Sequence, residues 1–231
     1  MIPVDVPSND GQYPVLVIDD HELFSTTLTM ALRSRGLDAR RIPVGDLIAL
    51  ARGRPTHAGL VVLDLDLGRD DEGIYRHGAD FVGRLRERNW SVLVVSGSVD
   101  QPGVAAAIAA GAIGSVPKSS SFDVLLRTIT NAARGEPVMS EVEHREWVDR
   151  HRRYLARERE LSRRLGRLSR REREVLELLV EGLRAAAISD RLVVSMPTVR
   201  TQIRSILTKL EVSSQLEAVA LVRQQPDVRR D

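Results

Sequence analysis

Four short apolar runs set the strongest limit on this fold: VLVID at 15–19, LVVLD at 60–64, VLVV at 92–95 and IGSV at 113–116. They are rich in Val and Ile and too short for helices, the pattern of strands buried on both faces. LDARRI at 37–42 reads as a weaker fifth strand. Helical patterns fall between them at 22–34, 45–52, 79–88, 103–110 and 122–133. In the last of these, Phe122, Leu125, Leu126 and Ile129 make an amphipathic stripe. Strands alternating with helices predict an α/β architecture: a five-stranded, doubly wound parallel sheet with helices on both faces. Ligands of such sheets sit at the carboxyl ends of the strands.

Those ends carry the polar residues. The first run ends in Asp19-Asp20, the third strand in Asp64, the fourth in Ser96, and Lys118 follows the fifth. Each has a plain structural reading by itself. Asp19-Asp20 can serve as helix cap and first-turn acids, and Ser96 as a turn residue. Together, however, they gather at one sheet edge. Three carboxylates there repel one another unless a cation sits among them. Oxygen ligands of this kind suit a hard ion such as Mg²⁺. The set makes chemical sense as a phosphoryl-transfer site, with one aspartate as nucleophile and a lysine and a hydroxyl holding the remaining oxygens. Lys118 is one of only two lysines among 34 basic residues, the other being Lys209. A compact ammonium in a chain that otherwise uses arginine suggests a specific task.

Charge divides the chain. Residues 1–130 carry 13 Lys/Arg against 16 Asp/Glu, and residues 131–231 carry 21 against 16. A basic back half points to a polyanionic partner, most simply nucleic acid. Residues 141–167 are densely charged and read as a connecting helix. Trp147, Tyr154, Leu161 and Leu168 recur every seven residues, so this stripe either docks locally or forms a short dimer seam. Four short helices follow. Ser169 and Glu172 form a capping box, Gly182 ends the first helix, and Ser195 caps the third with Pro197 in its first turn. On that third helix Val199, Ile203, Ile206, Leu207 and Leu210 share one arc, while Arg200, Thr201, Arg204 and Thr208 share another. One buried face and one Arg/Thr face, after a short helix and a tight turn, is how a helix-turn-helix meets the major groove.

VLVIDDHEL, VVLDLDL, VVSGS and GAIGSVPKS make residues 15–130 resemble the receiver domain of bacterial two-component response regulators. LSRREREVLELLVEG and ISDRLVVSMPTVRTQIRSILTKLEV make residues 168–222 resemble the LuxR-type helix-turn-helix. The combination resembles regulators of the NarL/LuxR type. It implies a flavodoxin-like receiver over 13–134, a charged helical linker over 135–166 and a DNA-binding domain over 167–225.

By that resemblance, Asp64 accepts a phosphoryl group from a sensor histidine kinase. Mg²⁺ is held by Asp19, Asp20, Asp64 and the Asp66 backbone carbonyl, and Ser96 and Lys118 hold the phosphoryl group. Arg200, Thr201 and Arg204 contact double-stranded DNA, with Lys209 near the phosphate backbone. Homodimerisation on phosphorylation or DNA binding follows from the same likeness.

Several features depart from the family. Leu67-Gly68 and a charged loop, including Asp70, Asp71 and Glu72, replace the usual Met-Pro turn. Ser115 stands where an aromatic switch residue is usual, which would route the signal through Ser96 and the loop after it. The Asp66 carboxylate can tune the acyl-phosphate lifetime or repel the incoming phosphoryl group. RAAA at 184–187 replaces a polar run, leaving Arg184 to compensate.

Two alternatives remain in view. One is an atypical receiver regulator that binds DNA independently of phosphorylation. The other is a haloacid-dehalogenase-type phosphatase, suggested by Asp64-Leu-Asp66. That pair lies on the third strand, with an acidic pair already on the first, so a regulator rather than an enzyme is the reading. The absence of cysteine fits a reducing compartment. With neither a signal-peptide pattern at MIPVDVPSNDGQ nor an apolar membrane span, a cytoplasmic protein is expected.

Overall fold

The computed structural model describes residues 13–53, 59–69, 73–97 and 101–223, so the acidic run Asp70–Glu72 and most of the loop after Ser96 lie outside the described residues. The chain divides at Arg152 into two compact units.

The first unit holds β1 (Val15–Ile18), α1 (Glu22–Ser34), β2 (Ala39–Arg41), α2 (Val44–Arg52) and β3 (Gly59–Asp64). After β4 (Asp66–Arg69) and β5 (Tyr75–His77) come α3 (Ala79–Arg86), β6 (Trp90–Ser96), α4 (Gln101–Ala109), β7 (Gly114–Pro117) and α5 (Phe122–Ala133). Five strands form one parallel sheet in the order β2-β1-β3-β6-β7. This is the flavodoxin-like order. The register aligns Ile18 with Leu63, Asp64 with Val95, and Ser96 with Pro117. The residues that end these strands therefore meet at one edge.

Strand side chains alternate between two cores, which is why the sequence reads as unbroken apolar runs. Leu16, Ile18, Val61, Leu63, Val92 and Val94 pack with Leu47, Val82, Leu85 and Ile108. Val15, Val17, Leu60, Val62, Leu93 and Val95 pack with Leu28, Leu32, Leu125 and Ile129 on the other face. Truncating any of the fully buried leucines to alanine costs about 2–5 kcal/mol. Helix α5 starts at its cap Ser121, whose hydroxyl accepts from the Val124 amide. Its buried face is Leu125, Leu126, Ile129 and Ala132, whereas Phe122, expected on that stripe, is exposed in the first turn.

The segment after Asp64 differs from the expected loop. β4 and β5 pair antiparallel, with Asp66 opposite His77 and Arg69 opposite Tyr75. Asp and Gly have low strand propensity, so the pattern of Asp66–Arg69 gave no strand signal.

Helix α6 (Glu141–Gly166) has no fully buried residue. Within the first unit Trp147 and Val148 pack against its core. Leu165 packs against the core of the second unit, and Leu168 lies beyond the helix end, buried in that same core. The seven-residue stripe is therefore not one seam, because its last member leaves the helix and its first docks locally.

The second unit adds α7 (Arg170–Val180), α8 (Ala185–Leu192), α9 (Met196–Leu210) and α10 (Gln215–Arg223). The Ser169–Glu172 capping box forms as expected, and Ser195 caps α9 by accepting from the Thr198 amide. Val175, Leu176, Leu179, Ile188, Val199, Ile203, Ile206 and Leu210 fill the core.

Candidate functional site

The acidic groups converge on Lys118. Asp19 follows β1, Asp64 ends β3, and both are almost fully buried. The Lys118 ammonium donates to Asp64 Oδ2 at 2.5 Å and lies 2.8 Å from Asp19 Oδ2. It also sits 5.2 Å from the centre of the Phe24 ring. The Lys118 amide donates to the Ser96 carbonyl at 2.7 Å, which fixes where the lysine leaves the sheet. Burial disfavours the ammonium, but its hydrogen bonds to Asp19 and Asp64 outweigh this and hold its pKa above the ordinary lysine value. Burial pushes the Asp64 carboxyl up to about 6, with the Asp19 charge adding to the rise while Lys118 and the Asp66 amide oppose it. At about 6 the Asp64 carboxyl is still largely ionised at neutral pH, with Lys118 as its cationic partner.

Asp20 lies at the rim, beside the buried pair. His21, which the sequence reading did not single out, places Nδ1 2.6 Å from Asp20 Oδ1 and 3.4 Å from Asp19 Oδ1. One ligand atom each from Asp19, Asp20, His21 and Asp64 fall within 4.8 Å of one another. This is a candidate metal-binding cluster, and its predominance of carboxylate oxygens fits a hard divalent cation. Ser96 is buried at the end of β6, while Ser115 is half-buried on β7 opposite Val94.

Asp66 opens the β4–β5 hairpin. Its amide donates to Asp64 Oδ1 at 3.3 Å, and its carboxylate accepts from the Tyr75 hydroxyl at 2.9 Å. Gly78 closes the hairpin, its amide donating to the Leu65 carbonyl at 2.8 Å. A Cβ there would lie 2.0 Å from the Asp64 carbonyl oxygen, so no other residue fits. Neither Tyr75 nor Gly78 carried a sequence signal, since their roles depend on a pairing between segments nine or more residues apart.

In the second unit, Arg200, Thr201, Arg204 and Thr208 lie together on the exposed face of α9, and Val199, Ile203 and Ile206 on its buried face. The Thr201 hydroxyl donates back to the Pro197 carbonyl at 3.0 Å. Lys209 has a different setting from the exposed arginines. Its ammonium contacts both Glu172 carboxylate oxygens, at 2.8 and 2.7 Å, and Ser205 donates to the same carboxylate at 2.6 Å. Glu172 thus ties α7 to α9. Burial works against its charge, but Lys209, Ser205 and Ser169 more than compensate and hold its pKa at about 2.

The model of the response regulator receiver domain matches residues 15–130, and that of bacterial regulatory proteins of the luxR family matches 166–222. The chain belongs to the NarL/FixJ family of two-component response regulators. The nitrate/nitrite response regulator protein NarP of Escherichia coli is 30% identical over 220 residues, covering 92% of this chain and 95% of that protein. NarL of the same organism is 29% identical over 224 residues, covering 94% and 98%. The solved structure of response regulator StyR is 24% identical, covers 93% of this chain and all of that one, and superposes with a TM-score of 0.44. The regulator is a DNA-binding transcription regulator of a two-component system rather than an enzyme. Among the described residues, no helix is long and apolar enough to cross a membrane.

Proposed function

We propose that Asp64 is the phosphoacceptor of this regulator and that a sensor histidine kinase supplies the phosphoryl group. The Asp64 carboxylate attacks phosphorus, an acyl-phosphate P–O bond forms, and the P–N bond to the kinase histidine breaks. The imidazole leaves with the bonding pair and takes up a proton. Asp19, Asp20, Asp64 and the Asp66 carbonyl hold Mg²⁺, whose charge offsets that of the carboxylates and the phosphoryl oxygens. Lys118 and Ser96 hold the phosphoryl group, and Ser115 replaces the bulky switch residue. The observation that carries this reading is the Lys118 ammonium set between buried Asp19 and Asp64 at the carboxyl edge of the sheet.

Acyl phosphate then shifts the balance between two receiver conformations and releases or dimerises the DNA-binding end. Arg200, Thr201 and Arg204 meet double-stranded DNA in the major groove. Lys209 lies toward the phosphate backbone while anchored to Glu172. The working boundaries are 13–134, 135–166 and 167–225, in a cytoplasmic protein that pairs as a homodimer.

The test is intact mass and oligomeric state of the full chain with Mg²⁺ and acetyl phosphate, for wild type and Asp64→Asn. An adduct in wild type alone, with a shift to dimer, supports the reading. Ser115 favours a second reading, in which DNA binding is independent of phosphorylation; absence of any adduct would select it.

A further inference from the structure

The hairpin after the phosphoacceptor is the part of the receiver that the functional reading leaves without a task. Its first residue, Asp66, carries a negative charge two residues from Asp64. Its amide bonds Asp64 Oδ1, so its position is tied directly to the reacting carboxylate. The Asp66 carboxylate is turned into the hairpin, where Oδ1 accepts from the Tyr75 hydroxyl at 2.9 Å and from the Gly68 amide at 3.3 Å. Gly68 itself has φ +67, and a Cβ on it would come within 3.4 Å of Asp20 Oδ2. The turn that orients Asp66 therefore runs along the rim of the acidic cluster. At the far end of the hairpin, Arg69 donates to the Gly73 carbonyl at 3.0 Å.

A carboxylate swung out of the hairpin toward the acidic rim would oppose phosphorylation. A donor phosphoryl group carries negative charge, and a like charge turned toward its path raises the barrier. The hydroxyl of Tyr75 holds that charge in one direction.

We propose that Tyr75 is a positioning residue for phosphorylation: its hydroxyl pins the Asp66 carboxylate within the β4–β5 hairpin and keeps it off the path of the incoming phosphoryl group. This rests on Asp64 being the phosphoacceptor. Through that hydrogen bond the effect of Tyr75 depends on the charge at Asp66. Removing the hydroxyl leaves the longer Gly68 bond to hold the carboxylate and loosens it toward the acidic rim. Neutralising Asp66 removes that charge-dependent effect.

The test is the rate of adduct formation by intact mass, on the full chain with Mg²⁺ and acetyl phosphate, where acetate leaves as the P–O bond to Asp64 forms. Four proteins are compared: wild type, Tyr75→Phe, Asp66→Asn and the double variant. Tyr75→Phe should phosphorylate about three- to ten-fold more slowly than wild type, as expected for one nearby charge in a solvated site. The double variant should match Asp66→Asn. An unchanged rate in Tyr75→Phe overturns the proposal. So does an equal slowing by Tyr75→Phe in the Asp66→Asn background, which would mean that the hydroxyl only supports the hairpin. Absence of an adduct in wild type would instead overturn the assignment of Asp64 on which the proposal stands.

Discussion

Lys118 Nζ lies 2.5 Å from Asp64 Oδ2 and 2.8 Å from Asp19 Oδ2, so one ammonium bridges two buried carboxylates on neighbouring strands. Replacing it with methionine leaves those carboxylates without the ammonium between them. The Asp64 carboxyl, already raised to about 6, should then hold its proton more tightly. Phosphorylation of Lys118→Met by acetyl phosphate at pH 7 should be at least about two-fold slower, because one further pKa unit cuts the ionised fraction from about nine-tenths to about one-half. Intact mass over time measures it.

Glu172 links α7 to α9 through Lys209 and Ser205, and it also closes the capping box on Ser169. Glu172→Ala should destabilise the helical unit by about 1–3 kcal/mol, the range for removing one partner of a buried charged network. The sign of the pH dependence follows from its depressed pKa. The folded carboxylate is held at about 2 against 4.5 for an ordinary glutamate, so its contribution is complete above about pH 4.5 and fades as pH falls toward 2. Hydrogen exchange of residues 170–210 in the full chain should show this acid loss in wild type and much less of it in Glu172→Ala.

Arg204 projects from the exposed face of α9 one turn beyond Arg200. If Arg204 meets a phosphate, Arg204→Ala should weaken binding to all DNA sequences and flatten the log–log salt slope by about 0.9. If it meets a base edge, the loss should fall on specific sites alone, by about 1–3 kcal/mol. Fluorescence anisotropy across a salt series separates the two, and unchanged affinity would remove Arg204 from the interface.

Val193 ends α8 in the left-handed region, with φ 53 and ψ 49, and is 89% exposed. A β-branched side chain is strained there and buries almost nothing in return. Val193→Gly should therefore stabilise the helical unit, by about 0.5–1 kcal/mol. Denaturant unfolding followed by helix signal, or exchange of α8 and α9 amides, would register the gain. A loss of stability would show that the side chain has a structural role.

Local pattern by itself determined the receiver sheet, its flanking helices, the capping box at Ser169, the N-cap at Ser195 and the two-faced helix α9. Burial on both sheet faces, helical periodicity and cap chemistry are short-range properties, written into residues a few positions apart. It also placed Asp19, Asp20, Asp64, Ser96 and Lys118 at strand ends, because parallel pairing brings such ends together.

Only the tertiary structure decided how those groups meet. The reach of Lys118 to two carboxylates, the entry of His21 into the cluster and the commitment of Lys209 to Glu172 depend on distances between segments far apart in the chain. The hairpin joining Asp66 to Tyr75 was invisible for a related reason. Its strands are too short, and too rich in Asp, Gly and Arg, to announce themselves. They become strands through their hydrogen bonds to each other and the close approach of Gly78 to the Asp64 backbone, and neither contact leaves a periodic trace in the sequence.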